Sequence, residues 1–106
     1  MLCIFLVTVP PRKAGPLARA LLEERLIACA SLLPGVRSLY WWKGKLARTG
    51  ETLLLLKTPK RNASRLLKRV RELHPYEVPE ILVLPVAQAY QPYADWVLRE
   101  ARRRRS

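Results

Sequence analysis

Histidine, aspartate and cysteine are scarce in these 106 residues: there is one histidine, one aspartate and two cysteines. With no second histidine there is no HExxH zinc pair, and no GxSxG, Walker loop or GxGxxG occurs either. No conventional enzyme signature remains, and the expectation is a protein that is not an enzyme. The cysteines, Cys3 and Cys29, form neither a disulfide framework nor a CxxC pair. No apolar run approaches the roughly 18 residues that span a bilayer. The opening MLCIFLVTVP lacks the basic segment of an export signal. A cytoplasmic protein with no membrane partner is expected.

What is present fits one small domain, taken as residues 1–106 with 102–106 as a basic tail. Half of the residues are hydrophobic, enough for a core, but so short a chain leaves much of its surface exposed unless subunits associate. The net charge of +12 suggests nucleic acid at first sight. Five of the arginines, however, are Arg99 and Arg102 to Arg105, a terminal run that reads as a solvated tail. The other basic residues are spread along the helical segments and a hairpin. Nucleic-acid binding is therefore a disfavoured reading, because scattered charge supplies only sequence-independent attraction. Arginine outnumbers lysine and there are nine prolines, which fits a thermophile or a GC-rich genome.

Residues 2–9 are apolar and β-prone, and Pro10-Pro11 closes them as a buried strand. Residues 14–27 carry Leu17, Leu21, Leu22 and Leu26 at helical spacing, with Pro16 suited to the first turn. From Ala28 to Leu46 the chain is again β, interrupted at Pro34-Gly35 as a bulge would interrupt it. Ala47 to Gly50 reads as the hairpin turn and Glu51 to Thr58 as the return strand, whose four leucines suggest burial on both faces. Residues 62–73 form a second amphipathic helix with Leu66, Leu67, Val70 and Leu73 inward, stopped by Pro75. Glu80 to Val86 is a fourth strand and residues 90–104 a closing helix.

The halves echo each other: Thr8 and Thr58 each end a strand that prolines, basic residues and a helix follow. This is a duplicated βαβ unit, an α+β fold of ferredoxin-like βαββαβ organisation with an additional C-terminal helix. Right-handed crossovers place the strands in the order 4-1-3-2. Cys3 and Cys29 then lie two strand steps apart, roughly 9–10 Å, beyond disulfide reach. Return strand Glu51 to Thr58 lacks the stacking aromatics of RNA-binding members of this fold.

The hairpin is longer than the fold requires: residues 36–46 alone extend about 35 Å. Tyr40, Trp41 and Trp42 lie on it, and the second strand is an edge. An exposed aromatic edge invites aggregation unless something pairs with it, so these three residues are expected at a contact between copies that closes into a ring. Packing of the aromatics under the last helix is the competing placement.

His74 opens the run His74-Pro75-Tyr76-Glu77-Val78-Pro79-Glu80, in which two prolines stiffen a loop offering an imidazole, a phenol and two carboxylates. A metal or small-anion site is one reading, and a histidine capping a helix C-terminus is the other. Cys29, among small apolar neighbours, is either an inert buried thiol or a soft ligand that, with histidine, suits copper or zinc. Lys57 ends an apolar strand, where it either pairs with Glu77 or Glu80 or binds an anion.

The segments LVTVP (residues 6–10), ACA (28–30), LPGVRSLY (33–40), WKGK (42–45), LKT (56–58) and HPYEVPEI (74–81), with Tyr93 and Trp96, resemble the CutA divalent-cation-tolerance proteins from about residue 4 to residue 98. The resemblance implies a PII-like trimer assembled through the long hairpins and a role in tolerance to copper and other divalent cations. It implies metal contact at His74 and Cys29, with Cu(II) or another divalent ion as ligand and none obligatory. It also implies a pocket at the subunit boundary containing Lys57, Thr58, Tyr76, Glu77 and Glu80. Leu73 and Val7 stand where some members carry a further histidine and a cysteine. The alternatives are a PII-like sensor of a small ligand at subunit clefts, or a basic nucleic-acid-binding module.

Overall fold

The structure is a computed structural model and describes residues 1–103. Chain order is β1 (Leu2–Val9), α1 (Pro11–Glu23), β2 (Cys29–Trp42), β3 (Lys45–Pro59), α2 (Ala63–Leu73), β4 (Ile81–Pro85) and α3 (Gln91–Glu100), with a 3-10 turn at Lys60–Asn62 leading into α2. The sheet order is β2-β3-β1-β4 with every neighbouring pair antiparallel, the arrangement expected of a duplicated βαβ unit. The expected closing helix over 90–104 stops at Glu100, and residues 104–106 of the basic tail lie outside the described residues.

Helices α1 and α2 cover one face of the sheet. Phe5, Val7 and Val9 of β1 and Leu54 and Leu56 of β3 pack there against Leu17, Leu21, Leu66 and Val70. The opposite face is open: Leu53 and Leu55 are half-buried, and Leu33, Leu82 and Leu84 are exposed. The four leucines of β3 are thus buried on one face only within the subunit, because both crossover helices lie on the same side. Helix α3 reaches one end of the open face, where the Tyr93 hydroxyl is 3.3 Å from Cys29 Sγ. Cys3 faces the core and Cys29 the open side, and both thiols are free.

Several boundaries differ from those expected. Pro11 occupies the first turn of α1, where its fixed φ suits helix initiation, and Pro16 lies inside the helix. The helix ends early because Arg25 adopts φ 59°, with Arg25 N–H donating to the Leu22 carbonyl and Leu26 N–H to that of Leu21. That is a Schellman ending with arginine where glycine is usual, so no glycine marks the stop. Leu22 and Leu67, expected inward, are 38% and 42% exposed. The hairpin turns at Lys43-Gly44, not at Ala47–Gly50: both residues have positive φ (49° and 78°) and Trp42 pairs with Lys45. A two-residue turn of that hand matches the strand twist, leaving residues 47–50 paired with 37–40.

The internal repeat is visible in the hydrogen bonds. Thr58, at the end of β3, donates from its hydroxyl to the Leu26 carbonyl in the loop after α1. Thr8, near the end of β1, holds the loop after α2. Each central strand thus pins the loop at the end of the other unit's helix.

Candidate ligand site

The site begins with the bulge. Leu33 pairs with Leu53 and Val36 with Glu51, so Pro34 and Gly35 together oppose Thr52. Gly35 supplies the left-handed conformation (φ 77°) that this insertion needs. One extra residue reverses the alternation of side chains along β2. Ser38, Tyr40 and Trp42 thereby share a face with Glu51 of β3 and Thr8 of β1, the open face of the sheet. Without the insertion those aromatics would point to the other side.

The loop after α2 then closes over this face. His74 is buried and follows the last residue of α2, its N–H donating to the Val70 carbonyl. Its ring Nε2 lies 2.8 Å from the Thr8 carbonyl and its Nδ1 3.1 Å from the Tyr76 amide nitrogen. A carbonyl oxygen can only accept and an amide N–H only donate, so Nε2 carries the proton and Nδ1 accepts. The Tyr76 ring tilts against the imidazole at 4.8 Å between centroids and donates its hydroxyl to Glu51 Oε2 at 2.8 Å. Thr8 Oγ1 donates to Glu80 Oε1 at 3.1 Å, fixing the far end of the loop. Partial burial, followed by the bond to Glu51, pushes the Tyr76 phenol up to about 12.

These residues border a cavity of about 440 Å³ walled by Tyr40, Trp42, Glu51, Tyr76, Glu77 and Glu80, with Thr8 and Ser38 at its base. Three carboxylates and three aromatic rings face it, and among the described residues no lysine or arginine lines it. Within one subunit the residues expected at the boundary pocket fall in two places. Tyr76, Glu77 and Glu80 come together here, whereas Lys57 and Thr58 lie at the other end of β3. Lys57 contacts the Ser31 hydroxyl, and among the described residues it has no ion pair with Glu77 or Glu80. The Thr58 hydroxyl is buried and committed to Leu26.

His74 and Cys29 are likewise apart within the subunit. Cys29 pairs through Lys57 with Ile4, and His74 bonds Thr8, four residues or about 13 Å further along β1. Both nitrogens of the His74 ring are engaged, and Cys29 is paired with the Tyr93 hydroxyl. Among the described residues no three His, Cys, Asp or Glu side chains are placed to hold one metal ion. Tyr40 and Trp42 border the cavity, whereas Trp41 points to the other face and is exposed.

Sequence reasoning missed Glu51 and the double role of Thr8. Glu51 follows Gly50 at what read as the mouth of the hairpin, where a charged residue is ordinary. Only the register with Val36, set by the bulge, brings it under the loop.

Comparison with known proteins agrees with this architecture. Residues 3–100 match the family described as CutA1 divalent ion tolerance protein. The divalent-cation tolerance protein CutA of Thermus thermophilus is 47% identical over 98 residues, covering 92% of this chain and 94% of that protein. The human protein CutA is 46% identical over 92 residues, covering 86% of this chain, which spans about half (51%) of the human protein's length. Among solved structures, the PII-like protein CutA from Nostoc sp. PCC 7120 superposes with a TM-score of 0.91 at 38% identity, covering 96% of this chain and 99% of that one. With the sheet order, the duplicated unit and the HPYEVPEI loop all in place, the chain belongs to the CutA1 divalent ion tolerance family.

Proposed function

We propose that the protein acts as a homotrimer, without catalysis, in cytoplasmic tolerance to divalent metals, chiefly copper. The cavity under the 74–80 loop serves as its ligand site at the subunit boundary. The observation that carries this function is the concentration of charge: three of only eight acidic residues in a chain of net charge +12 line one cavity. The open sheet face, with Leu33, Leu82 and Leu84 exposed, and the aromatic edge of β2 supply the apolar surface that association would bury. The free thiols of Cys3 and Cys29 fit a reducing compartment.

Cu(II) is cargo in this scheme, and none is obligatory for folding. Cys29 and His74 remain its soft donors, each completing a ligand set only with groups from a neighbouring subunit. Calorimetric Cu(II) titration of the wild type, Cys29→Ser, His74→Ala and the Glu77→Gln/Glu80→Gln pair tests it. Saturable binding weakened by Cys29→Ser or by the carboxylate pair supports a copper role and assigns the donor, and weakening in His74→Ala assigns His74 only where the variant's metal-free stability is unchanged. Identical isotherms in all four overturn it.

A second reading, a PII-like sensor of a small ligand, is favoured by one specific observation: half of the cavity wall is aromatic or apolar, which a bare ion does not need. A thermal-shift screen separates the two, since a specific ligand raises stability with its concentration.

A further inference from the structure

We propose that the cavity under the 74–80 loop recognises a small organic cation, a protonated alkylamine whose ammonium group meets Glu51 while its carbon chain lies against Tyr40, Trp42 and Tyr76. The proposal rests on the reading that this cavity is a ligand site, and it names the chemical class of the ligand.

Glu51 is the strongest indication. Its side chain belongs to a residue only 5% exposed, yet no lysine or arginine among the described residues forms an ion pair with it. Oε2 accepts the Tyr76 hydroxyl at 2.8 Å, and among the described residues none donates to Oε1. No fully buried side-chain oxygen lacks a partner among the described residues, so Oε1 keeps some accessible surface, and Glu51 lines the cavity. A carboxylate taken this far out of water is ordinarily paired with a cation, because an uncompensated buried charge is costly. Among the described residues of the subunit no lysine or arginine serves as that cation, and Glu51 lines the cavity.

The walls decide what kind of cation fits. A bare divalent ion of the hard class needs six to eight oxygen ligands at about 2.0–2.6 Å. Glu51, Glu77 and Glu80 of one subunit are instead spread around a cavity of about 440 Å³ and, among the described residues, are not placed to share one ion without groups from a neighbouring subunit. That volume lies in the range of small-molecule pockets. The aromatic faces of Tyr40, Trp42 and Tyr76 attract a cation through their ring quadrupoles and accept hydrocarbon as well. Trp42 already shows this preference, with Lys43 Nζ lying 5.9 Å from its ring centroid. Anions are excluded by the same walls, which hold three carboxylates and no basic side chain.

The test is calorimetry and thermal shift on the full chain at neutral pH, with n-butylammonium chloride as probe. Sodium butyrate and sodium chloride at matched ionic strength are the controls, and CuCl₂ is titrated separately. Saturable butylammonium binding, with a melting temperature that climbs with concentration and is unmoved by butyrate, is the expected result. Glu51→Gln and Trp42→Leu should each weaken it about tenfold. Should Glu51→Gln fail to fold, the exposed Glu77→Gln carries the same expectation. Butylammonium behaving like sodium, or variants binding it as the wild type does, overturns the proposal. Copper binding without butylammonium binding leaves the metal reading standing and removes this one; binding of neither removes both.

Discussion

His74 and Thr8 are joined by a 2.8 Å hydrogen bond from the ring Nε2 to the strand carbonyl, and this bond makes the only histidine of the chain a structural fastener of the ligand loop. With Nδ1 accepting from Tyr76 N–H, the imidazole spans strand β1 and the loop and has no idle nitrogen. A metal reaching it would have to displace one of two backbone partners.

His74→Ala should therefore destabilise the metal-free protein, by about 2–3 kcal/mol for one buried and one part-buried hydrogen bond and the space left behind. Equilibrium urea denaturation in the presence of a chelator measures this. A histidine serving only as a metal ligand would leave metal-free stability unchanged.

Tyr76→Phe removes the hydroxyl that binds Glu51 and keeps the ring against His74. The expected cost is about 1 kcal/mol, with the fold retained and the loop more mobile. Faster amide exchange across residues 74–80, with β1 and β3 unchanged, is the signature to look for.

Alkaline titration gives a third check. Burial foremost, then the bonds to Glu51 and to Cys29 respectively, raises the phenols of Tyr76 and Tyr93 from 10.0 to about 12. A folded-state pKa above the unfolded one means the protonated phenol is favoured in the folded chain. This stabilisation is fully present below about pH 10 and is lost as pH rises toward about 12. Tyrosinate absorbance should show a late step near pH 12 that shrinks in Tyr76→Phe and again in Tyr93→Phe.

The bulge is open to test through Gly35. A Cβ there meets no atom within 4 Å, so Gly35→Ala is opposed only by its φ of 77°. The expected cost is about 1 kcal/mol. Deleting Gly35 should do far more, because it restores simple alternation and turns Tyr40 and Trp42 away from Glu51. Loss of ligand binding in a folded deletion variant, with Gly35→Ala still binding, would show that the bulge builds the site.

Much of the fold was legible in the residues. Thr8 and Thr58, each closing a strand and followed by the same succession of proline, base and helix, disclosed the duplication, and the sheet order followed from handedness. Turn and helix ends were harder. Arg25 and Lys43 adopt left-handed conformations that their residue types do not advertise, so the stop of α1 and the hairpin tip were misplaced. The HPYEVPE loop announced itself as a site through its composition. Glu51 did not, because its role depends on a register set by an insertion at Pro34-Gly35, in the other half of the repeat, and on a loop arriving after α2. The resemblance places Lys57 and Thr58 with that loop only across a subunit boundary, and within one subunit the antiparallel pairing of β1 and β3 sets them at the far end of β3.

The most direct test of the central claim is sedimentation equilibrium of the full chain with Cu(II) titrated in, free of reducing agent, alongside the Glu77→Gln/Glu80→Gln pair. A trimer taking up copper in whole-number equivalents per subunit, with uptake weakened in the pair, is the result predicted. A monomer, or a trimer whose copper uptake never saturates and is the same in the variant, would contradict it.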